Sequence, residues 1–182
     1  AGNATVGHGL GAVPKMIIFK NLSDTYYWVV YHQGIGNTAF LSLNETSASS
    51  TSLNMFQNTT PTSSVFSLTS QGYVNGGGGN QMIAYCFADV QGFSKMGSYT
   101  GNGSTDGTFV YTGFKPAFVM IKRTTSTGNW LILDNKRAGY NQSNYWLEAD
   151  TSDAEGTTAN WIDIFSNGFK LNLGGSAGNA DG

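Results

Sequence analysis

Charge is what this sequence has least of. Only 11% of its 182 residues are Asp, Glu, Lys or Arg, under half the roughly 25% common in soluble domains. Ser, Thr, Asn and Gly stand in their place. Nine basic and eleven acidic residues nearly cancel, to a net −2, and no Lys/Arg cluster occurs. That excludes a phosphate backbone as partner, because non-specific nucleic-acid affinity comes from clustered cations. One cysteine, Cys86, excludes an internal disulfide. It lies in an apolar run and reads as a small buried hydrophobe. No run reaches membrane-spanning length, and no signal-peptide pattern is present. The chain opens without Met and stops at Asp181-Gly182, as expected of a processed product or an excerpt. The histidines, His8 and His32, have no Cys or Asp at the spacing of a zinc site or a catalytic triad. No cofactor or metal site is expected. Helix is scarce too, with at most one turn from Asp150 to Glu155.

What the chain has is a passage written twice. Gly9-Leu-Gly-Ala-Val-Pro14 leads into KMIIFK, and Gly113-Phe-Lys-Pro116 leads into AFVMIKR. The prolines are 102 positions apart (116 minus 14), and Lys20/Lys122 and Trp28/Trp130 keep that offset. Leu147 falls near Leu43 after a two-residue slip. Ser166-Asn167-Gly168-Phe169 echoes Ser70-Gln71-Gly72-Tyr73, and Gly174-Gly175 echoes the glycines at 76–79. Runs rich in β-branched and aromatic residues (residues 15–20, 26–32, 65–68 and 82–87) predict strands. A period near 100 is too long for a solenoid and fits tandem β domains. The expected fold is all-β: two tandem antiparallel β-sandwich units, jelly-roll or concanavalin A-like, at 1–98 and 99–182. The second copy stops before a counterpart of Met82–Phe87, so a vacant sheet edge is expected there, filled from outside or created by the cut. By the period of two, Trp28, Val30 and His32 share one strand face. Tryptophan at the same slot in both copies predicts a shared inward position.

Chemistry is thinner. Glu148, Asp150, Asp153 and Glu155 form the one acidic cluster. Glu148 and Asp150 alternate along a strand, as a glycosidase pair could. Asp150, Asp153 and Glu155 offer oxygen ligands for calcium. Against both stands a solvated loop, favoured because the first copy has no matching carboxylates. Gly76–Gly79 followed by Asn80 lacks the Lys-Ser/Thr of a phosphate loop. Asn-x-Ser/Thr triplets at Asn3, Asn21, Asn44, Asn58, Asn102 and Asn141 follow from composition. The better lead is aromatic. Tyr140, Asn141, Asn144, Tyr145, Trp146 and Trp161 mix rings with amides in the second copy, and sugars bind such surfaces through C–H faces and hydroxyls. The competing reading makes Trp146 and Trp161 inward residues of short strands.

In GLGAVPKMIIFK, SQGYVNGGG, IAYCFADVQGFSKMGSYTGNGSTDGTFVYTGFKPAFVMIKR and SNGFKLN the chain resembles the repeat-containing, tail-fibre-like virion proteins of marine tailed bacteriophages. These are often described as concanavalin A-like lectin/glucanase-type. The resemblance implies a non-enzymatic protein of the virion surface that adheres to host-surface glycans. Other virion proteins and further copies of itself, as in a trimer, would be its partners, with no nucleic acid and no membrane insertion. A structural capsid or tail decoration protein and a glycan hydrolase are the alternatives.

Overall fold

The computed structural model describes residues 2–137, 141, 143–175 and 178–181. It is built from small antiparallel sheets, and among the described residues no sheet closes into a barrel. The chain divides into two units, residues 1–90 with 94–97, and residues 91–93 with 98–182.

Unit 1 holds β1 (Ala4–Gly7), β2 (Met16–Asn21), β3 (Val29–His32), β4 (Leu41–Ser42), β5 (Val65–Leu68), the single helical turn α1 (Gly72–Asn75) and β6 (Met82–Phe87). One sheet runs β4-β3-β2-β6, and β1 pairs with β5. β2 is apolar on both faces. Ile17 and Phe19 point with Val29 and Tyr31 into a core completed by Phe40, Met55, Phe56, Phe66, Leu68 and Val74. Phe19 meets Phe66 edge to face, with ring centroids 5.3 Å apart. Burying rings and branched side chains in this way is the main favourable term holding such a unit together.

Unit 2 holds β7 (Phe109–Tyr111), β8 (Phe118–Ile121), β9 (Leu131–Asp134), β10 (Leu147–Glu148), β11 (Ile162–Phe165) and β12 (Gly168–Leu171). Its sheets run β10-β9-β8 and β11-β12-β7. Val119, Ile121, Leu131 and Leu133 from the first sheet meet Ile162, Ile164, Phe169 and Leu171 from the second in its core.

The ladders of the two units keep the same register. Met16↔His32, Ile17↔Tyr31, Ile18↔Val30 and Phe19↔Val29 become Phe118↔Asp134, Val119↔Leu133, Met120↔Ile132 and Ile121↔Leu131 when 102 is added to both partners. The details follow. Lys20 Nζ donates to the Tyr26 carbonyl as Lys122 Nζ does to that of Gly128. His32 Nδ1 accepts from Gly34 N as the Asp134 carboxylate accepts from Lys136 N. Beyond β3 the offset becomes 106. Val30↔Leu41 corresponds to Ile132↔Leu147, and the Phe40↔Ser50 bridge to Trp146↔Gly156.

Four expectations change at this point. The slip before Leu147 is four residues (106 minus 102), so Leu147 matches Leu41 rather than Leu43. Gly168-Phe169 lies in β12, which pairs with β7 as β5 pairs with β1, so its counterpart is Val65-Phe66 and not Gly72-Tyr73. Gly72-Tyr73 opens α1 instead, closed by Asn75 N donating to the Gln71 carbonyl (2.8 Å) and seated by the buried Val74. Helix is therefore found there, while 150–155 is turn and loop. Finally, the core faces of β3 and β9 carry Val29/Tyr31 and Leu131/Leu133, so the two tryptophans look the other way. Trp130 is nonetheless buried, whereas Trp28 is only half-buried and lies beneath the Lys20 ammonium, 5.9 Å from its ring centre.

Candidate binding cleft in unit 1

Among the described residues, one concavity joins the residues just before β3, the loop after β4 and the helical turn α1. Its volume is about 300 Å³. Tyr27 and Tyr73 make one wall, stacked with centroids 5.8 Å apart and planes 26° from parallel. Tyr26 backs them, 4.6 Å from Tyr73. That packing explains Gly72: a Cβ there would fall 2.8 Å from the Tyr26 hydroxyl, so only glycine admits the ring. Phe40 and Leu53 line the cleft from the core side. Ser42, Ser47, Ser50 and Ser52 bring hydroxyls to it, and Glu45 brings the one carboxylate. Ser50 is fixed by backbone hydrogen bonds with Phe40 (2.9 and 3.0 Å), and its hydroxyl lies 2.8 Å from that of Ser52.

A buried asparagine braces this end of the unit. Asn21, fully buried at the end of β2, donates Nδ2 to the Gly72 carbonyl (2.8 Å). Its Oδ1 accepts from Ser23 N and Asp24 N. The turn after β2 and the start of α1 are thereby tied together, which positions Tyr73. An aromatic wall beside hydroxyls and one carboxylate can take an apolar sugar face and its hydroxyls at once.

The aromatic-amide group expected in the second copy gathers around β11. Trp146 and Trp161 do meet, edge to face at 5.7 Å, but both pack against the unit 2 core. Trp146 holds the ladder position of Phe40, and its indole covers Gly156, whose Cβ would come within 2.1 Å of the ring. Trp161 holds the position of Met55: its carbonyl accepts from Asn172 N as that of Met55 does from Thr69 N, both at 3.0 Å. Phe40 and Ser50, which line the cleft of unit 1, thus have Trp146 and Gly156 at their positions in unit 2. Asn141 clips β11 through two hydrogen bonds with Ile164. Asn144 and Tyr145 are half-buried beside it, and Tyr140 lies outside the described residues.

The described acidic residues do not converge on one point. Glu148 accepts from Asn129, and Asp150 accepts from the Trp130 amide (2.8 Å), as Asn44 does from the Trp28 amide. Glu155 and Asp134 flank Arg137. Burial pushes the Asp134 carboxyl up, but hydrogen bonds from Arg137 and from the Lys136 and Arg137 amides hold it below its usual range. Asp153 takes no part in these pairs. Among the described residues no three His, Cys, Asp or Glu side chains converge as a metal site would need. No described helix is long and apolar enough to cross a membrane.

A family model described as a domain of unknown function, DUF7483, matches residues 1–182. The chain belongs to the DUF7483 family. No curated protein and no solved structure matches it. For this DUF7483 chain the binding reading therefore rests on the cleft itself. Sequence reasoning passed over that cleft because its serines read as loop. The available signal was Tyr26-Tyr27 at the mouth of a strand, together with a glycine, Gly72, placed where a ring could enter.

Proposed function

We propose that this chain is a non-enzymatic glycan-binding module of a virion surface, and that the unit 1 cleft is its carbohydrate site. The observation that carries this reading is the stacked Tyr27–Tyr73 wall facing a serine rim and Glu45. A sugar ring would lie against the tyrosines, with its hydroxyls exchanging water for the serines and Glu45. So shallow a site binds weakly one copy at a time, and adhesion then depends on several copies displayed together, as in a trimeric fibre. The matched ladders support an internal repeat, two tandem β-sandwich units, of which the first keeps the cleft and the second has Trp146 at the position of Phe40.

The test is binding of the full chain to an array of neutral bacterial-surface glycans, followed by titration of any hit. Tyr27→Ala with Tyr73→Ala is expected to weaken binding at least tenfold, ~1.4 kcal/mol, with the near-UV spectrum of unit 2 unchanged. Loss of binding in Tyr145→Ala instead would move the site to unit 2. A second reading, structural decoration through protein contacts alone, draws on exposed apolar residues such as Tyr111 and Phe118. It predicts no glycan binding by any form of the chain.

A further inference from the structure

We infer that the unit 1 cleft selects, among glycans, a sugar that carries a free amino group, held as an ammonium between the tyrosine wall and Glu45. The inference rests on the carbohydrate reading of the cleft and names the chemistry of its ligand. Among the described residues lining the cleft, Glu45 is the one that bears charge, and no Lys, Arg or His joins it. Glu45 is half-buried. It belongs to none of the ion pairs among the described residues, which join Lys95 to Asp89, Arg137 to Asp134 and Glu155, and Lys170 to Asp106. The lysine nearest the tyrosines along the chain, Lys20, is committed to the Tyr26 carbonyl and the Trp28 ring. The cleft therefore sets a carboxylate beside aromatic rings with no cation of its own.

Backbone hydrogen bonds hold the two in place. Glu45 closes a turn, its amide donating to the Ser42 carbonyl (3.3 Å). That turn is clamped to the residue after Tyr27. Leu43 N donates to the Trp28 carbonyl (2.9 Å), and Trp28 N donates to Asn44 Oδ1 (2.8 Å). Unit 2 repeats the clamp, with Ala149 N on the Trp130 carbonyl (3.1 Å) and Trp130 N on Asp150 Oδ1 (2.8 Å). At the offsets of that clamp, 102 (130 minus 28) and 106 (150 minus 44), Tyr27 becomes Asn129 and Glu45 becomes Thr151. The frame thus stands without ring or carboxylate. The pair is an addition to unit 1, not a demand of the fold.

The pair also specifies the ligand. A carboxylate only accepts hydrogen bonds, whereas a hydroxyl donates and accepts. An ammonium offers three donors and a positive charge, and aromatic rings attract that charge as well. A sugar carboxylate or phosphate in the same place would meet Glu45 as a like charge, so acidic glycans are turned away. A lysine side chain fits less well than an amino sugar. The hydroxyls of Ser47, Ser50 and Ser52 line the same cleft, and a bare methylene chain would desolvate them without offering hydrogen bonds.

The probes are the methyl glycosides of glucosamine, glucose and glucuronic acid, and a lysine blocked at both backbone ends. Each is titrated into the full chain, with the ring signals of Tyr27 and Tyr73 followed by NMR. The glucosaminide is expected to bind about fivefold more tightly than the glucoside, and the glucuronide least of all. Added salt should erase the advantage of the amine and leave the glucoside where it was. Glu45→Gln should bring glucosaminide and glucoside to parity. If that variant unfolds, the ratio and its salt dependence in the unaltered chain decide. Equal affinity for glucosaminide and glucoside overturns the inference and leaves the carbohydrate reading standing. So does a ratio that survives in folded Glu45→Gln. Blocked lysine binding as tightly as the glucosaminide overturns it by making a protein side chain the occupant. Binding by none of the four overturns the inference and the carbohydrate reading of the cleft together.

Discussion

Units 1 and 2 share a ladder and differ in what has been added to it. In unit 1 a fourth strand closes the sheet and α1 stands Tyr73 over the serine loop. In unit 2, among the described residues, the sheet ends at β8, and an extra strand, β11, occupies the ground of the Met55–Phe56 loop. Every buried side-chain polar atom without a hydrogen-bond partner among the described residues lies in unit 2, between Asn135 and Asn172. Such groups carry a desolvation cost that pairing would relieve. The contrast teaches that the ladder is scaffold. The proposed carbohydrate site draws on the segments that differ, as expected when loops carry function on a rigid frame.

The comparison breaks most visibly at its centre. Phe19 and Ile121 hold the same rung and are both buried. Phe19→Ala should cost about 3–5 kcal/mol and Ile121→Ala about 2–5 kcal/mol by denaturant unfolding. Each loss should appear in its own unit's transition, and a single shared transition moved equally by both would deny that the units are separate.

A smaller effect sharpens the difference. Asn21 has Arg123 as its counterpart at offset 102, so its brace on Gly72 is particular to unit 1. Asn21→Ala should cost about 1–3 kcal/mol, because the Gly72 carbonyl and two turn amides lose their partner. It should also weaken glycan binding by loosening Tyr73. Stability lost with affinity intact would separate the brace from the cleft.

The smallest effect is in pH. His32 and Asp134 cap equivalent turns, yet only His32 titrates near neutrality. Burial lowers its pKa below the ordinary 6.5, with Asp89 opposing. The neutral form is therefore the one the folded state favours. The stability it contributes is present above 6.5 and is lost as pH falls through the lower folded value. The melting temperature should drop slightly between pH 7.5 and 5.5, and His32→Asn should flatten that part of the profile. An unchanged slope in the variant would assign the effect elsewhere.

Much of the ladder was legible in the sequence because proline, lysine and tryptophan recur at one offset on strands whose apolar pattern is dense. The four-residue slip was not, since it accumulates in turn-rich sequence with no periodicity to anchor it. The resemblance of Gly168-Phe169 to Gly72-Tyr73 misled for a physical reason. Glycine before an aromatic serves a strand in one place, under the Phe109 ring, and a helical turn in the other, under Tyr26. Trp28 and Trp130 matched in register but not in burial, because register is set by backbone pairing and burial by what lies over the sheet. The cleft escaped notice because it joins Tyr27 to Tyr73 across a serine-rich segment, and only tertiary structure brings those rings together.

The central claim is that, among the described residues, the ladder carries a fourth strand in unit 1 and none beyond β8 in unit 2. Residue-resolved amide exchange of the free chain tests it at matched positions. Ile17 and Val119, which bond β3 and β9, should both be strongly protected. Ile18 should be protected by β6, while Met120, its counterpart, should exchange at least a hundredfold faster, close to the rate of an unpaired amide. Equal protection of Ile18 and Met120 in the monomer would contradict the account, because β8 would then have a partner strand of its own.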